Sequence, residues 1–324
     1  MADATAPAHD LVERFTRDVQ ALASDFDRLA LAVSGGPDSL ALLLLAHAAF
    51  PDRIAAATVD HGLRPENAEE ARFVAGLCAK MNVPHSTVSA DVDRRAASLQ
   101  QSARRARYAA LAGWLQQKGV ALLATAHHAD DQAETLLMRL LRGAGVGGLA
   151  GVRARAPLPG DGSRHIVRPL LGWRRAELRA LVKQAGITPV DDPSNRDPRF
   201  DRTRIRARLA AADWLDPEPL AHSASALADA DEALNWAALD IYKTRVRQQD
   251  SRVLFSHRGL PRELRRRTVR AILVALEPAA SPRGAEMDRL LQRLEQGNSA
   301  TLAGVKCSGG AEWCFEHAPP RRKS

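Results

Sequence analysis

"LALAVSGGPDSLALLLLAH" (residues 29–47) decides the fold. It begins as an apolar run, breaks at Ser34-Gly35-Gly36-Pro37-Asp38-Ser39 and resumes as a second apolar run. That pattern reads as a buried strand turning sharply into a buried helix. Gly35 and Gly36 let the backbone turn and let N–H groups come close to a ligand. Pro37 suits the first helical position, where no N–H is needed. The free N–H groups of the helix start favour an anion. Ser34 and Ser39 add hydroxyl donors. Asp38 is either a helix-start residue or a metal ligand held beside phosphate. The break is too short for the common ATP-binding loop, which needs four residues between its glycines and a Lys after the second. The bland alternative is an ordinary glycine turn with Ser and Asp caps.

Outward from this stretch, strands at 28–34, 54–60, 84–90 and 120–126 alternate with helices at 38–49, about 66–81, 101–118 and about 129–142. Such alternation predicts an α/β fold: a parallel sheet with helices on both faces, joined by right-handed crossovers. Ligands in such sheets bind beyond the carboxyl ends of the strands. Residues 143–163, rich in Gly and Pro, read as a loop. One more strand follows in "HIVRPLLGW", then a helix over about 174–185 closing at Gly186. "WLDPEPL" (214–220) reads as a linker, 220–247 and 261–296 as helical, and 300–316 as a short strand or two. The expected organisation is an N-terminal helix or tail (1–24), a catalytic domain (25–214) and a smaller, mostly helical domain (215–324).

A chain of 324 residues, 45% apolar, can bury a substantial core. No apolar run reaches 18 residues free of charge, so no membrane partner is expected. "MADATAPAHDLVERF" lacks the basic start and apolar stretch of a signal peptide. Cys78, Cys307 and Cys314 make no disulfide framework, which fits a reducing cytoplasm. The net charge is +8, and residues 164–208 alone carry +7. Concentrated positive charge points to a polyanion, most simply nucleic acid. Forty of the 46 basic residues are Arg, as codon bias would produce, but bias does not explain the clustering.

A second constellation, "TAHHADDQAETLLMRLLRG" (125–143), carries His127, His128, Asp130, Asp131 and Glu134 across a strand end and a helix start. His127, Asp131 and Glu134 are spaced to share one helix face. Two neighbouring carboxylates repel unless a cation lies between them, either a metal or a substrate ammonium. A solvated helix start that complements the dipole is the alternative.

Taken together, these stretches resemble a known family. "SGGPDS" looks like the pyrophosphate-binding loop of the N-type ATP pyrophosphatases, and the 125–143 string is similar to the HxxDDQxET motif of bacterial tRNA(Ile)-lysidine synthetases within that group. "VDHGLRPENAEEARFV" (59–74), "SLQQSARRARYAAL" (98–111) and "RPLLGWRRAEL…DDPSNRDPRFDRTRIR" (168–206) agree with it. One departure is Arg202-Thr203-Arg204, where the family tends to have Arg-Asn. The chain is also short for the second C-terminal domain that longer members carry.

The resemblance implies an enzyme that adenylates C2 of the wobble cytidine in a tRNA(Ile) with a CAU anticodon, then ligates the ε-amino group of lysine. It implies a Rossmann-like catalytic domain, ATP as substrate with Mg2+, free L-lysine as second substrate, and leaves a homodimer open. Ser34, Gly35, Gly36, Pro37, Asp38, Ser39 and His61 are expected to bind ATP, with Asp38 reaching the metal. Arg107 is expected to touch phosphate or the reacting base; otherwise it is a surface arginine. Asp131 and Glu134 are expected to grip the lysine ammonium, and His127 to orient them. Arg202, Arg204, Arg206 and Arg208, and in the C-terminal part Arg265 and Arg266, are the expected tRNA contacts. The rivals are a tRNA-thiolating enzyme with the same loop, for which no CxxC pair exists, and a non-catalytic RNA-binding relative.

Overall fold

The computed structural model describes residues 6–62, 66–95, 98–190, 201–212 and 214–319. The chain divides into two compact units, Met1–Ala226 and Leu227–Ser324.

In the first unit, β1 (Leu29–Ala32), β2 (Ile54–Asp60), β3 (His85–Ser89), β4 (Leu122–Ala124), β5 (Arg155–Leu158) and β6 (Asp161–Val167) form one sheet in the order β3-β2-β1-β4-β6-β5. All neighbours pair in parallel except the β5–β6 hairpin. Successive side chains of a strand point to opposite faces. Leu29 and Leu31 of β1, with Ile54 and Ala56 of β2, enter one apolar cluster; Ala30, Ala55 and Ala57 enter another. Both faces are therefore covered, as a parallel sheet requires. The first face is covered by α1 (His9–Leu22), α2 (Pro37–Ala49) and α7 (Arg175–Gln184), and the other by α4 (Leu99–Lys118) through Tyr108, Leu111, Trp114 and Leu115. Every residue of α2 from Ser39 to Ala46 is buried. Each fully buried leucine there contributes about 1.5–3 kcal/mol. α3 (Glu66–Lys80), α5 (Ala129–Leu140), the short α6 (Val146–Leu149) and α8 (Asp201–Ala211) complete the unit.

The stretch 143–163 is not all loop. It contains α6, β5 and the start of β6, and the ladder shifts register between Pro157 and Leu158. Polar residues and Pro157 hid the hairpin because an edge ladder tolerates both. The N-terminal helix α1 is packed into the core: Phe15 and Val19 are fully buried, and Asp18 Oδ2 accepts a 2.8 Å hydrogen bond from Trp173 Nε1.

α9 (Pro217–Arg245) runs across the division between the two units. The second unit adds α10 (Arg262–Leu276), α11 (Gly284–Glu295) and an antiparallel sheet ordered β7-β8-β11-β10-β9. These strands are β7 (Val246–Gln249), β8 (Arg252–Phe255), β9 (Ser299–Leu302), β10 (Val305–Ser308) and β11 (Trp313–His317). The β7–β8 hairpin was absent from the reading of the sequence. It turns at Asp250, which adopts φ 53°. Among the described residues, no helix is long and apolar enough to cross a membrane.

Candidate active site

The loop between β1 and α2 is braced by its own serines. Ser39 Oγ donates to the Gly36 carbonyl at 3.0 Å and accepts from the Ser34 N–H at 3.1 Å, with Ser34 Oγ 3.3 Å away. Gly35 sits at φ +83°, which L side chains rarely adopt, and a Cβ added there would lie 3.0 Å from Val190 Cγ2. Gly36 caps α2 and Pro37 opens it. The result is a fixed ring of backbone at a helix N-terminus, suited to phosphate. Asp38 stands beside it with Oδ1 buried and unpartnered. Burial works to raise the Asp38 carboxyl, but the hydrogen bond and charge of His128, then Arg175 and Arg179, outweigh it and hold the group below its ordinary range.

The second constellation lies next to this loop. His128 caps α5, accepting from the Asp131 N–H through Nδ1 at 3.4 Å, while Asp131 Oδ2 accepts from the His128 N–H at 3.2 Å. His128 Nε2 lies 3.4 Å from Asp38 Oδ2 and 3.5 Å from Asp131 Oδ2, and Arg175 Nε approaches it at 3.4 Å. His128 is 1% exposed, so this fully enclosed ring joins the two motifs. α5 is also clipped to the turn after β6: the Ala129 N–H donates to the Trp173 carbonyl at 2.9 Å, and the Arg175 N–H to Asp130 Oδ2 at 2.8 Å.

The cation between Asp131 and Glu134 is, in this structure, a guanidinium. Arg202 donates to Asp131 Oδ1 at 3.1 Å and to Glu134 Oε2 at 2.9 Å. Glu134, 1% exposed, also accepts from Arg206 Nε at 2.7 Å and from Arg175 Nη2 at 2.9 Å. Burial favours its neutral form, but these three guanidiniums hold its carboxyl down to about 2. His127 Nδ1 lies 3.0 Å from Thr125 Oγ1. Burial, then the positive charge of Arg168, Arg202 and Arg104, pushes the ring down to about 3, so it is neutral at pH 7.

The geometry also redirects the expected tRNA contacts. Arg202 and Arg206 face carboxylates inside the unit, and Arg204 pairs with Asp201. Arg208 is exposed. In the second unit Arg265 pairs with Glu295 at 3.1 Å, and Arg266 lies 3.5 Å from Glu263 and 3.7 Å from Asp288. The "RELRRRTVR" run thus balances acidic residues of its own unit. The DPSN segment (191–200) and Leu63-Arg64-Pro65 of the HGLR segment lie outside the described residues.

His61 and Arg107, 46 positions apart, come together. Arg107 Nη2 and Nε lie 3.2 and 3.4 Å from His61 Nε2, so that nitrogen accepts and Nδ1 carries the proton. His61 Nδ1 is buried and unpartnered. Burial first, then the Arg107 charge, lowers the His61 pKa despite Asp60.

Sequence reasoning gave roles to His127, Asp131 and Glu134 and none to His128, Asp130 and Arg175. The signal for His128 was the doubled histidine ahead of an acidic helix start. The thiols offer no sulfur-carrier pair. Cys78 is a core residue whose thiol burial pushes up to about 11; Cys307 is pushed up to about 12. Cys314 lies opposite Ser308 in the β10–β11 ladder.

Comparisons agree with this geometry. Residues 8–212 match the PP-loop domain family. The chain is 49% identical to a tRNA(Ile)-lysidine synthase of Novosphingobium aromaticivorans over 95% of its length and 94% of the relative's. It is 42% identical to one of Zymomonas mobilis, covering 92% of this chain and 90% of that one. A U34-tRNA thiolase from Methanococcus maripaludis superposes with a TM-score of 0.55 at 16% identity, over 68% of this chain and 78% of its own, a likeness of fold alone. With the short Gly-Gly loop locked to an acidic helix start, and with that identity along nearly the whole chain, this protein belongs to the tRNA(Ile)-lysidine synthase family of PP-loop enzymes.

Proposed function

We propose that this chain uses ATP to adenylate the C2 oxygen of the wobble cytidine in a tRNA(Ile) with a CAU anticodon, and then joins free lysine to that carbon. The cytidine oxygen attacks the α-phosphorus and pyrophosphate leaves. The lysine ε-amine, having lost a proton, attacks C2; a second proton is lost and AMP departs with the oxygen, leaving lysidine. The supporting observation is the 3.4 Å contact of Asp38 with His128, which brings the phosphate loop and the acidic helix start together at the carboxyl ends of β1 and β4.

In this reading the N–H groups of Gly35, Gly36 and the start of α2, with the Ser34 and Ser39 hydroxyls, hold the departing pyrophosphate. A divalent cation fits beside Asp38, whose Oδ1 is buried without a partner; Mg2+ there would join one carboxylate to phosphate oxygens and offset their charge. Arg107, steadied by His61, faces the nucleotide or the base undergoing adenylation. Asp131 accepts the proton of the lysine ammonium. Glu134 holds Arg175, Arg202 and Arg206 in place and serves as a positioning residue. Arg208 contacts the tRNA backbone. We place the reaction in the cytoplasm.

Incubation with ATP, Mg2+, radiolabelled lysine and total bacterial tRNA tests the reading. Label should enter one tRNA species, with AMP and pyrophosphate released. Release of ADP and phosphate instead would refute it.

A further inference from the structure

One guanidinium near the site differs from its neighbours. Arg168, just after β6, is 5% exposed and its Nε has no hydrogen-bond partner. Nη1 donates to the Arg153 carbonyl at 2.5 Å, and Tyr108 lies beside it. Arg104 sits over the Tyr108 ring, 5.0 Å from its centroid. Arg175, Arg202 and Arg206 all close on Glu134, but among the described residues no carboxylate pairs with Arg168. A buried cation without a counter-ion is costly, and an anion arriving from outside would relieve that cost. The charges of Arg168, Arg104 and Arg202 all reach the ring of His127. Arg202 in turn holds Asp131 and Glu134. Arg202 thus belongs both to the acidic pair it bridges and to the positive charge felt at His127.

We propose that Arg168, assisted by Arg104 and His127, binds the α-carboxylate of the lysine substrate while Asp131 receives the ammonium of the side chain. The assignment rests on the lysine reading above. The planar guanidinium fork matches a carboxylate in two parallel hydrogen bonds. With Nδ1 of His127 3.0 Å from Thr125 Oγ1, its Nε2 as an N–H can donate to the same carboxylate, which only accepts. The competing anion is a tRNA phosphate. At 5% exposure Arg168 suits a small, fully desolvated carboxylate better than a solvated polymer backbone. The cluster then selects an amino acid over a simple diamine, both of which carry the reactive amine.

The test compares lysine, lysine amide and 1,5-diaminopentane as acceptors in the tRNA reaction. With the wild-type protein, kcat/KM for either analogue should fall roughly 10- to 100-fold below that for lysine, the loss expected for hydrogen bonds to a charged group. In Arg168→Met the ratio of lysine to lysine amide should collapse to within a few-fold. Arg104→Met, an exposed position, should reduce the ratio partially and covers the case in which Arg168→Met does not fold. Equal use of lysine and its amide by the wild type overturns the assignment. So does an Arg168→Met protein that binds tRNA less tightly yet keeps the wild-type ratio, which would give the cluster to phosphate. Failure of lysine itself to enter tRNA would sink the broader reading, and this one with it.

Discussion

Replacing Glu134 by Gln removes the charge that three guanidiniums share, and the cost can be worked from the structure. The carboxyl is held from 4.5 down to about 2, and at about 1.4 kcal/mol per pH unit this corresponds to about 3 kcal/mol of native-state stability. Breaking a buried ion pair by removing one partner costs about 3–5 kcal/mol. The lower end applies because Arg202 and Arg206 are 43% and 34% exposed, so water partly replaces the lost charge. A loss of about 3 kcal/mol lowers the melting temperature of a unit this size by roughly 6–12 °C. The sign with pH is fixed: a depressed carboxyl contributes fully above its unfolded value near 4.5 and loses that contribution as pH falls toward 2. Urea unfolding at pH 7 and at steps down to pH 3 should therefore show a destabilised Glu134→Gln protein whose stability falls less steeply below pH 4.5 than that of the wild type. A variant within about 0.5 kcal/mol of wild type at pH 7, or one with the same acid slope, would refute the view of Glu134 as the anchor of α8.

Other outcomes follow from the same geometry. Gly35→Ala forces a side chain into the left-handed region against Val190, a strain of about 1–3 kcal/mol, and should abolish measurable ATP binding by calorimetry while leaving tRNA binding intact. Asp38→Asn should weaken Mg2+-dependent ATP binding more than metal-free ATP binding; equal weakening would remove the carboxylate from the metal. In a salt titration of tRNA affinity, Arg208→Ala should flatten the log–log slope by about 0.7–0.9, whereas Arg206→Ala, whose guanidinium serves Glu134, should lower the melting temperature. Cys78, with its thiol near 11, should resist maleimide at pH 8 in the folded protein and react on unfolding.

The elements that bury apolar residues on all sides were legible in the sequence. β1, α2 and β2 stood out as near-continuous hydrophobic runs because a parallel sheet covered on both faces demands them. β5, β7 and β8 were not legible. Each is only four residues long, β7 is largely polar and β5 carries a proline, and their strand state comes from hairpin pairing that no periodicity announces. At the site, Asp38, Asp131 and Glu134 were legible as chemistry, but their partners were not. Arg202 and Arg206 looked like an outward basic stripe, yet their carboxylates lie 68 and 72 positions earlier in the chain. Arg175 lies on an amphipathic helix, and nothing in its local pattern announces the carboxylate of Glu134, 41 positions earlier, that it meets. Choosing between His127 and His128 depends on which of two adjacent rings turns under the helix start, and the backbone decides that rather than composition.

The β5 strand carries a consequence for the chain in crowded solution. A parallel sheet ending on β6 would present a row of free N–H and C=O groups to any extended segment nearby. β5 covers that row with four residues, among them Pro157, which has no N–H to offer, and the irregular register at Pro157 and Leu158 spoils the flat template a further strand would need. The Gly- and Pro-rich stretch after the acidic helix thus ends in a cap that protects the sheet from joining its own copies.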